Sequence, residues 1–345
     1  MSETRKIRKG EEIEIGPLRE FLERELGSTV NEVEIRQFPA GSSNLTYLVE
    51  FNGKEFVLRR PPFGNRVATA HDMSREFRVL TALNGVYAPA PKPLLFCDDP
   101  SVIGSDFYLM ERRDGVVVRG DWPFKTEPDP KKVVAGFVRN LADLHAIDTG
   151  SEALGGLGKP DGYAERQVVG WSERYRKART DEWPDIENVI GWLNERIPDD
   201  DGSSVVHNDY KFDNVVLDPE NPARLVAVLD WEMATIGSPL MDLGTTLGYW
   251  MSPVSGDELM SMPFNPRVLM ESVSREEIAE LYAEFSGRDV SNISYYYVFG
   301  TFKIAVIAQQ IYYRYAKGKT KDRRFAQFNR FVGALGRIAK KATAD

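Results

Sequence analysis

Three polar residues at the ends of short apolar runs could support the transfer of a phosphoryl group. Asp209 and Asn214 follow one such run, five residues apart, and Asp230 follows another. Short apolar runs bounded by turn residues predict β-strands, whose ends hold side chains rigidly. Phosphoryl transfer needs a carboxylate that orients a hydroxyl group, and oxygen ligands that hold Mg²⁺ against a nucleoside triphosphate. The sequence therefore predicts Asp209 as the catalytic base and Asn214 and Asp230 as magnesium ligands.

Lys211 lies two residues after Asp209 in the same polar loop. Negative charge develops on a phosphoryl group during its transfer, and a nearby ammonium group stabilises that charge. We therefore predict that Lys211 neutralises the transferring group. Asp and Asn also favour plain turns between strands, so the spacing leaves a structural turn as the alternative.

A second loop could bind phosphate groups through its main chain. Gly41, Ser42 and Ser43 form a small-residue segment before a run that alternates in polarity, and Asn52-Gly53 predicts a hairpin turn after that run. A strand, a small-residue loop and a second strand can direct backbone N–H groups toward phosphates. We predict that Gly41, Ser42 and Ser43 bind the phosphates of a nucleotide, with an ordinary turn as the alternative.

The composition indicates a globular protein of one large or two modest domains, with 345 residues, 42% apolar and 28% charged. The charged N-terminal segment predicts no signal peptide, and the single cysteine, Cys97, fits a reducing cytoplasm. The apolar stretch 293–316 contains Lys303 and Arg314, so it predicts a buried helix rather than a membrane span. We expect a cytoplasmic protein with no membrane partner.

Charge is unevenly distributed along the chain. The net charge is −8, yet residues 301–345 carry eleven Lys or Arg residues against two acidic residues. A solvated helix face that offsets acidic surface elsewhere would explain this pattern, and so would attraction for a polyanionic substrate. Because the chain is acidic overall and lacks the aromatic-basic interleaving of nucleic-acid-binding modules, we predict no nucleic-acid partner. Hydrophobic periodicity predicts helices over 275–287, 291–317 and 323–342.

Three segments together resemble one enzyme family. Residues 207–214 (HNDYKFDN) resemble the catalytic loop of kinases, and residues 229–232 (LDWE) are similar to the metal-binding segment that follows it. Residues 236–244 (IGSPLMDLG) are typical of the aminoglycoside phosphotransferase family, which includes choline-kinase-like and other small-molecule kinases. Within this segment, Asp242 is expected to support the catalytic loop. The resemblance implies ATP and Mg²⁺ as cofactors.

The implied fold is α+β and protein-kinase-like, with two lobes. The small N-terminal lobe, 1–111, would contain a five-stranded antiparallel sheet, and the larger C-terminal lobe, 112–345, would be mainly helical. The hinge is expected near 111–116, where Glu111 and Arg112 would flank the backbone that binds adenine. Arg59 occupies the place where kinases have a lysine that holds the α- and β-phosphates, and Glu76 is its expected ion-pair partner.

The acceptor is the least constrained part of the prediction. The sequence Arg-Arg-Pro-Pro at 59–62 resembles a subgroup of kinase-like domains associated with acyl-CoA dehydrogenases. This resemblance implies a small-molecule hydroxyl acceptor such as a hydroxyacyl-CoA, whereas the family name suggests an aminoglycoside. The basic C-terminal region favours a phosphate-bearing acceptor over a polycation. A nucleotide-binding pseudokinase is a further alternative, based on Arg59 and the single glycine Gly41. The sequence does not predict an oligomeric state.

Overall fold

The computed structural model describes residues 3–39, 44–62, 72–199, 202–260, 264–320 and 322–344. The chain divides into two compact units. The first unit comprises Met1–Asp114 together with the short segment Leu229–Glu232, and the second comprises Gly115–Val228 and Met233–Asp345. Asp230 therefore belongs to the first unit, although it follows the predicted catalytic loop in the sequence.

A five-stranded antiparallel sheet forms the centre of the first unit, with the strand order β1-β2-β3-β5-β4. The strands are β1 (Glu34–Gln37), β2 (Leu45–Phe51), β3 (Lys54–Arg60), β4 (Pro93–Cys97) and β5 (Phe107–Glu111). Asn52 and Gly53 connect β2 to β3 with positive φ angles of 49° and 69°. This is the backbone that a tight two-residue hairpin requires, and it confirms the predicted turn.

Helices cover the sheet of the first unit. They are α1 (Ile15–Leu26), α2 (Met73–Leu83) and the single turn α3 (Pro100–Ile103). The spacing of Leu18, Phe21 and Leu22 gives α1 one apolar stripe, which packs into the core with strand residues such as Phe107. Tyr108, the next residue of β5, points to the opposite face and lies beside Phe77 of α2. Arg59 is directly opposite Tyr108 in the strand register, so its side chain shares the α2 face.

The second unit is mainly helical. Its helices are α4 (Pro130–His145), α5 (Glu152–Gly155), α6 (Tyr163–Ala178), α7 (Pro184–Glu195), α8 (Pro239–Tyr249), α9 (Asp257–Met260), α10 (Arg267–Ser272), α11 (Arg275–Ser286), α12 (Ile293–Ala316) and α13 (Phe328–Ala342). Two short antiparallel pairs accompany them: β6 (Ser204–Val206) with β9 (Thr235–Gly237), and β7 (Val215–Leu217) with β8 (Leu225–Val228). The sheet of the first unit and the helices of the second confirm the predicted α+β, kinase-like fold class.

Helices α8 and α12 cross in close contact at the centre of the second unit. A Cβ atom on Gly300 of α12 would overlap the carbonyl oxygen of Gly244, and one on Gly248 would lie 2.8 Å from the Gly300 carbonyl carbon. The two backbones can approach this closely only because these positions lack side chains. Every residue of α8 is buried as a result.

Within the described ranges, no helix has both the length and the apolar character needed to cross a bilayer.

Candidate active site

Asp230 of the predicted site and Asn208, the residue before the predicted base Asp209, have a left-handed backbone conformation. Among the described residues, the non-glycine residues with positive φ are Asn52, Asn208 and Asp230. Asn52 lies in the hairpin turn, where this conformation is expected, whereas Asn208 and Asp230 both have φ of 66° outside such a turn. Residues in this conformation cost conformational energy and persist where surrounding contacts hold them, often at functional sites.

The Asp209 carboxylate receives hydrogen bonds from three side chains of the second unit. Tyr249 Oη donates to Oδ1 over 2.7 Å, while Lys211 Nζ and Asn214 Nδ2 donate to Oδ2 over 2.6 and 2.8 Å. Asn214 Nδ2 also donates to the main-chain oxygen of Asp209 over 2.9 Å. The carboxylate is thereby fixed at both oxygens. The sequence placed Lys211 and Asn214 near Asp209, but it did not indicate Tyr249, which lies 40 residues further along the chain.

Lys211 also forms a second ion pair, with Asp213 Oδ1 at 3.2 Å. Burial raises the pKa of Asp213 to about 6, against the opposing effect of the Lys211 ammonium group. The main-chain N–H of Asp213 donates to the carbonyl of Phe264 over 3.1 Å. The ammonium group of Lys211 thus pairs with two carboxylates, those of Asp209 and Asp213.

Asp242 supports the loop of residues 207–214 through hydrogen bonds to its main chain, as expected from the sequence. Its carboxylate accepts the main-chain N–H groups of His207 and Asn208, each over 2.7 Å. His145 Nε2 lies 3.1 Å from Oδ2, and His145 Nδ1 lies 2.7 Å from the hydroxyl of Tyr282. Burial alone would raise the pKa of Asp242, but the hydrogen bond and charge of His145, together with His207, lower it. The carboxylate is therefore stabilised in its ionised form, and so it can hold two loop N–H groups.

Asn208 makes hydrogen bonds through its side chain and its main chain. Its side chain pairs with the hydroxyl of Tyr163 and donates to the carbonyl of Met233. Its main-chain oxygen accepts a 2.6 Å hydrogen bond from Lys303 Nζ of α12. Sequence reasoning missed both Tyr163 and Lys303. The signal for Lys303 in the sequence was a cation within an apolar helical stretch, which indicated burial but no partner.

Arg59 joins Glu76 and Asp230 within the first unit. Arg59 Nη1 lies 2.6 Å from Glu76 Oε1, and Nη2 lies 2.8 Å from Asp230 Oδ1. Glu76 Oε1 also accepts the main-chain N–H of Trp231 over 3.2 Å. Burial raises the pKa of Glu76 although Arg59 opposes this, and the pKa of Arg59 is raised by Glu76 despite burial. The structure thus brings the predicted pair together and adds Asp230, whereas the phosphate-binding role of Arg59 stays a prediction.

The remaining predicted nucleotide contacts are only partly described. Gly41, Ser42 and Ser43 lie outside the described residues. Glu111 ends β5, and its carboxylate accepts the main-chain N–H of Lys92 over 2.6 Å. Arg112 forms an ion pair with Glu55. The side chains of Glu111 and Arg112 therefore bind groups of their own unit, and the binding of adenine by the main chain near them stays a prediction.

Comparisons with known proteins agree with this geometry. The model of the phosphotransferase enzyme family (APH) matches residues 34–262. Acyl-CoA dehydrogenase family member 11 of Gallus gallus is 33% identical over 340 residues, which cover 96% of this chain and 44% of that protein. Acyl-CoA dehydrogenase family member 10 of Mus musculus is 31% identical over 340 residues, which cover 97% of this chain and 32% of that protein. The chain thus spans less than half of either relative.

Solved structures show the same fold. A Ralstonia eutropha protein assigned as an aminoglycoside phosphotransferase has 27% identity and a TM-score of 0.81, with 96% of this chain and 99% of that chain covered. Aminoglycoside phosphotransferase APH(4)-Ia in a ternary complex with AMP-PNP and hygromycin B has 17% identity and a TM-score of 0.62, with 95% and 99% covered. Together with the curated relatives, these matches confirm the resemblance found in the sequence.

Proposed function

Because the chain belongs to the phosphotransferase enzyme family, we propose that it is a small-molecule kinase that transfers the γ-phosphoryl group of ATP to a hydroxyl acceptor. The observation that carries this proposal is the Asp209 carboxylate, which Tyr249, Lys211 and Asn214 fix at both oxygens. A fixed carboxylate can orient an acceptor hydroxyl and take its proton as the oxygen–phosphorus bond forms. Lys211 would stabilise negative charge on the transferring group.

Magnesium is the metal that suits the proposed ligands. Asn214 and Asp230 would provide amide and carboxylate oxygens, which are hard ligands of the type that Mg²⁺ binds. Asn214 directs its amide nitrogen to Asp209, so its amide oxygen is the atom that would bind the metal. Bound Mg²⁺ would neutralise charge on the triphosphate. Arg59, oriented by Glu76, would bind the phosphates, together with Gly41, Ser42 and Ser43.

For the acceptor, we propose a hydroxyacyl-CoA or a similar phosphate-bearing alcohol. Two observations support this choice over an aminoglycoside. The curated relatives, about one-third identical in sequence, carry the name acyl-CoA dehydrogenase family member. Residues 301–345 carry eleven basic against two acidic residues. Apart from the buried Lys303, the basic residues of this region that the structure describes are exposed, and such a surface attracts polyanions and repels polycations. An aminoglycoside acceptor remains the second candidate, because solved structures with this fold bind hygromycin B.

Calorimetry with ATP tests the nucleotide site directly. We expect the parent protein to bind ATP more tightly with Mg²⁺ than without it, and Asp230→Ala to lose this difference. Asp289→Asn is a matched control, because Asp289 is an exposed carboxylate in a turn of the second unit. If the parent does not bind ATP, the chain is not a kinase of this type, and the pseudokinase alternative would require a different ligand.

A turnover assay tests the role of Asp209. Asp209→Asn should lower the rate of phosphoryl transfer to a hydroxyacyl-CoA by about a hundredfold or more, the range for loss of a general base. Affinity for ATP should stay close to that of the parent, because the substitution leaves Arg59 and Asp230 unchanged. Turnover similar to that of the parent would show that Asp209 is not the base. If an aminoglycoside is phosphorylated and the hydroxyacyl-CoA is not, the proposed acceptor class is wrong.

A further inference from the structure

A completely buried lysine lies beneath the catalytic loop. Lys303 is on α12 and is 1% exposed. Its ammonium group contacts the Asn208 main-chain oxygen at 2.6 Å, the Asn208 Oδ1 at 3.3 Å and the hydroxyl of Thr245 at 3.5 Å. No carboxylate forms an ion pair with Lys303 within the part of the chain that the structure describes. Buried ammonium groups are costly without an opposite charge in contact, so packing alone does not explain a lysine here.

The shortest hydrogen bond of Lys303 is with the peptide group between Asn208 and Asp209. The carbonyl of Asn208 accepts from Lys303, and the N–H of Asp209 in the same peptide group donates to His207 Nδ1 over 3.2 Å. A peptide group is planar, so two hydrogen bonds at opposite sides fix its rotation. The orientation of this peptide group matters because Asn208 has a φ angle of 66°, in the left-handed region that carries an energetic cost for residues other than glycine. The orientation of this peptide determines where the Asp209 side chain begins.

We propose that Lys303 is a positioning residue for phosphoryl transfer: its ammonium group fixes the peptide between Asn208 and Asp209 and so directs the Asp209 carboxylate. This inference rests on the proposed role of Asp209 as the base. The ammonium group is suited to the task because it has three N–H donors, which can reach the oxygens of Asn208 and Thr245 together. The close crossing of α8 and α12 at their glycines brings Lys303 within reach of the loop.

The charge of Lys303 depends on the groups that surround it. Burial lowers its pKa to about 8, although the carboxylates of Asp242 and Asp209 oppose this. Arg174 and Lys211 lower it further by repulsion, and the ring of Trp171 lies 5.6 Å from Lys303 Nζ and 4.6 Å from the Arg174 guanidinium. Two other titratable groups belong to the same network, His207 and Tyr163. We therefore expect the Lys303 ammonium group to lose a proton near pH 8, more readily than an exposed lysine, and a neutral amine donates hydrogen bonds more weakly.

Histidine NMR can observe this peptide without any substrate. The chain has three histidines, His71, His145 and His207, so ¹⁵N-histidine labelling gives a simple spectrum. The His207 Nδ1 signal reports the hydrogen bond from the Asp209 N–H. Lys303→Met should shift this signal, because methionine fills the space but donates no hydrogen bond. Lys317→Met is the matched control: it removes an exposed lysine at the end of the same helix, and it should leave the signal unchanged.

Steady-state kinetics test whether the orientation of the Asn208–Asp209 peptide group affects catalysis. Lys303→Met should lower kcat by about a hundredfold, the effect of a misplacement of about 1 Å at a reacting group. The KM for ATP should stay within a small factor of the parent value, a separation that general loss of structure would not produce. An unchanged His207 signal in Lys303→Met, or an unchanged kcat, would overturn the proposal.

A pH titration keeps the test valid if Lys303→Met does not fold. In the parent, the His207 Nδ1 signal should show a transition near pH 8, and kcat should fall as the pH rises through the same range. In Lys303→Arg, which keeps its charge, this transition should disappear. If the parent shows no such transition, the proposal fails. If the parent binds no ATP, the proposed function fails, while the His207 signal still decides whether Lys303 holds the peptide.

Discussion

Substitution of Asp242 provides a quantitative test of how the proposed catalytic loop, residues 207–214, is held. Its buried carboxylate accepts hydrogen bonds from two loop N–H groups and contacts His145. Asp242→Asn keeps the size of the side chain but turns one oxygen into an NH₂ group. That group must face the N–H of Asn208 if it replaces Oδ1, or the N–H of His207 if it replaces Oδ2. One buried N–H group therefore loses its acceptor in either orientation.

The size of the effect follows from these contacts. A buried donor without an acceptor costs about 1–3 kcal/mol, and bonds to a neutral acceptor are weaker than bonds to a charged one. Because the pKa of Asp242 is lowered, the folded protein favours the ionised form even after the cost of burial. Loss of the charge therefore adds to the cost of the missing acceptor. We expect Asp242→Asn to lower the free energy of unfolding by about 3 kcal/mol.

Urea unfolding monitored by tryptophan fluorescence is a suitable assay, because five of the six tryptophans belong to the second unit. Asp289→Asn is the control: Asp289 also accepts a main-chain N–H, from Ser291 over 2.8 Å, but it is exposed to solvent. Its substitution should have a much smaller effect on stability. A loss in Asp242→Asn no larger than that in Asp289→Asn would refute the reasoning.

The pH dependence of stability provides a second test of Asp242→Asn. The folded pKa of Asp242 is depressed, so the unfolded state binds a proton more readily than the folded state. The stability that the carboxylate contributes is complete above the unfolded pKa of about 4 and is lost as the pH falls through the lower folded pKa. The difference in stability between the parent and Asp242→Asn should therefore narrow in acid. A difference that stays constant down to acidic pH would contradict this account.

Three further substitutions have defined outcomes. Arg59→Met should lower the free energy of unfolding by about 3–5 kcal/mol, since it leaves the buried Glu76 carboxylate without its ion pair. In thermal unfolding, the double variant with Glu76→Gln should recover part of this loss. No recovery would argue that the unpaired carboxylate is not the cause. Gly300→Ala should lower the melting temperature strongly, because the new Cβ forces α8 and α12 apart. Gly191→Ala is the control: its new Cβ has no atom within 4 Å, so the melting temperature should stay the same or rise. Tyr249→Phe should lower the free energy of unfolding by about 1–2 kcal/mol, because it removes the hydrogen bond to the proposed base Asp209. It should also reduce kcat. If stability and kcat both match those of the parent, Tyr249 does not position Asp209.

The sequence predicted best those features that depend on neighbouring residues. Alternation of polarity and the Asn52-Gly53 turn were sufficient for β2 and β3, because side-chain direction in a strand follows a period of two. Asp209, Lys211 and Asn214 lie within six residues, so one loop brings them together. The helix predicted over 323–342 was too long at its start: residues Arg323–Gln327 form a 3₁₀ helix, which Asp322 caps through the N–H of Arg324.

The supporting contacts could not be predicted in the same way. Lys303 is 95 residues from Asn208, and Tyr249 is 40 residues from Asp209. Whether such residues meet depends on how helices pack, and in this protein on glycines that let α8 and α12 approach each other. Hydrophobic periodicity predicts which face of a helix is buried, but it does not say which polar group that face will contact. A charged residue inside an apolar helical stretch is therefore a useful signal that a buried polar partner exists.

Each of the two units contains a residue with positive φ whose oxygen atom contacts a buried cation. In the first unit, Asp230 has a φ of 66° and binds the buried Arg59. In the second unit, Asn208 has a φ of 66° and binds the buried Lys303. Each conformation costs about 1–3 kcal/mol, and each buried cation would be unfavourable without the oxygen atoms that it contacts. The strained backbone and the buried cation therefore stabilise each other, so that loss of either cation should disturb the local backbone before it disturbs the fold of the unit. Local probes such as the His207 signal are for this reason more informative here than melting temperatures alone.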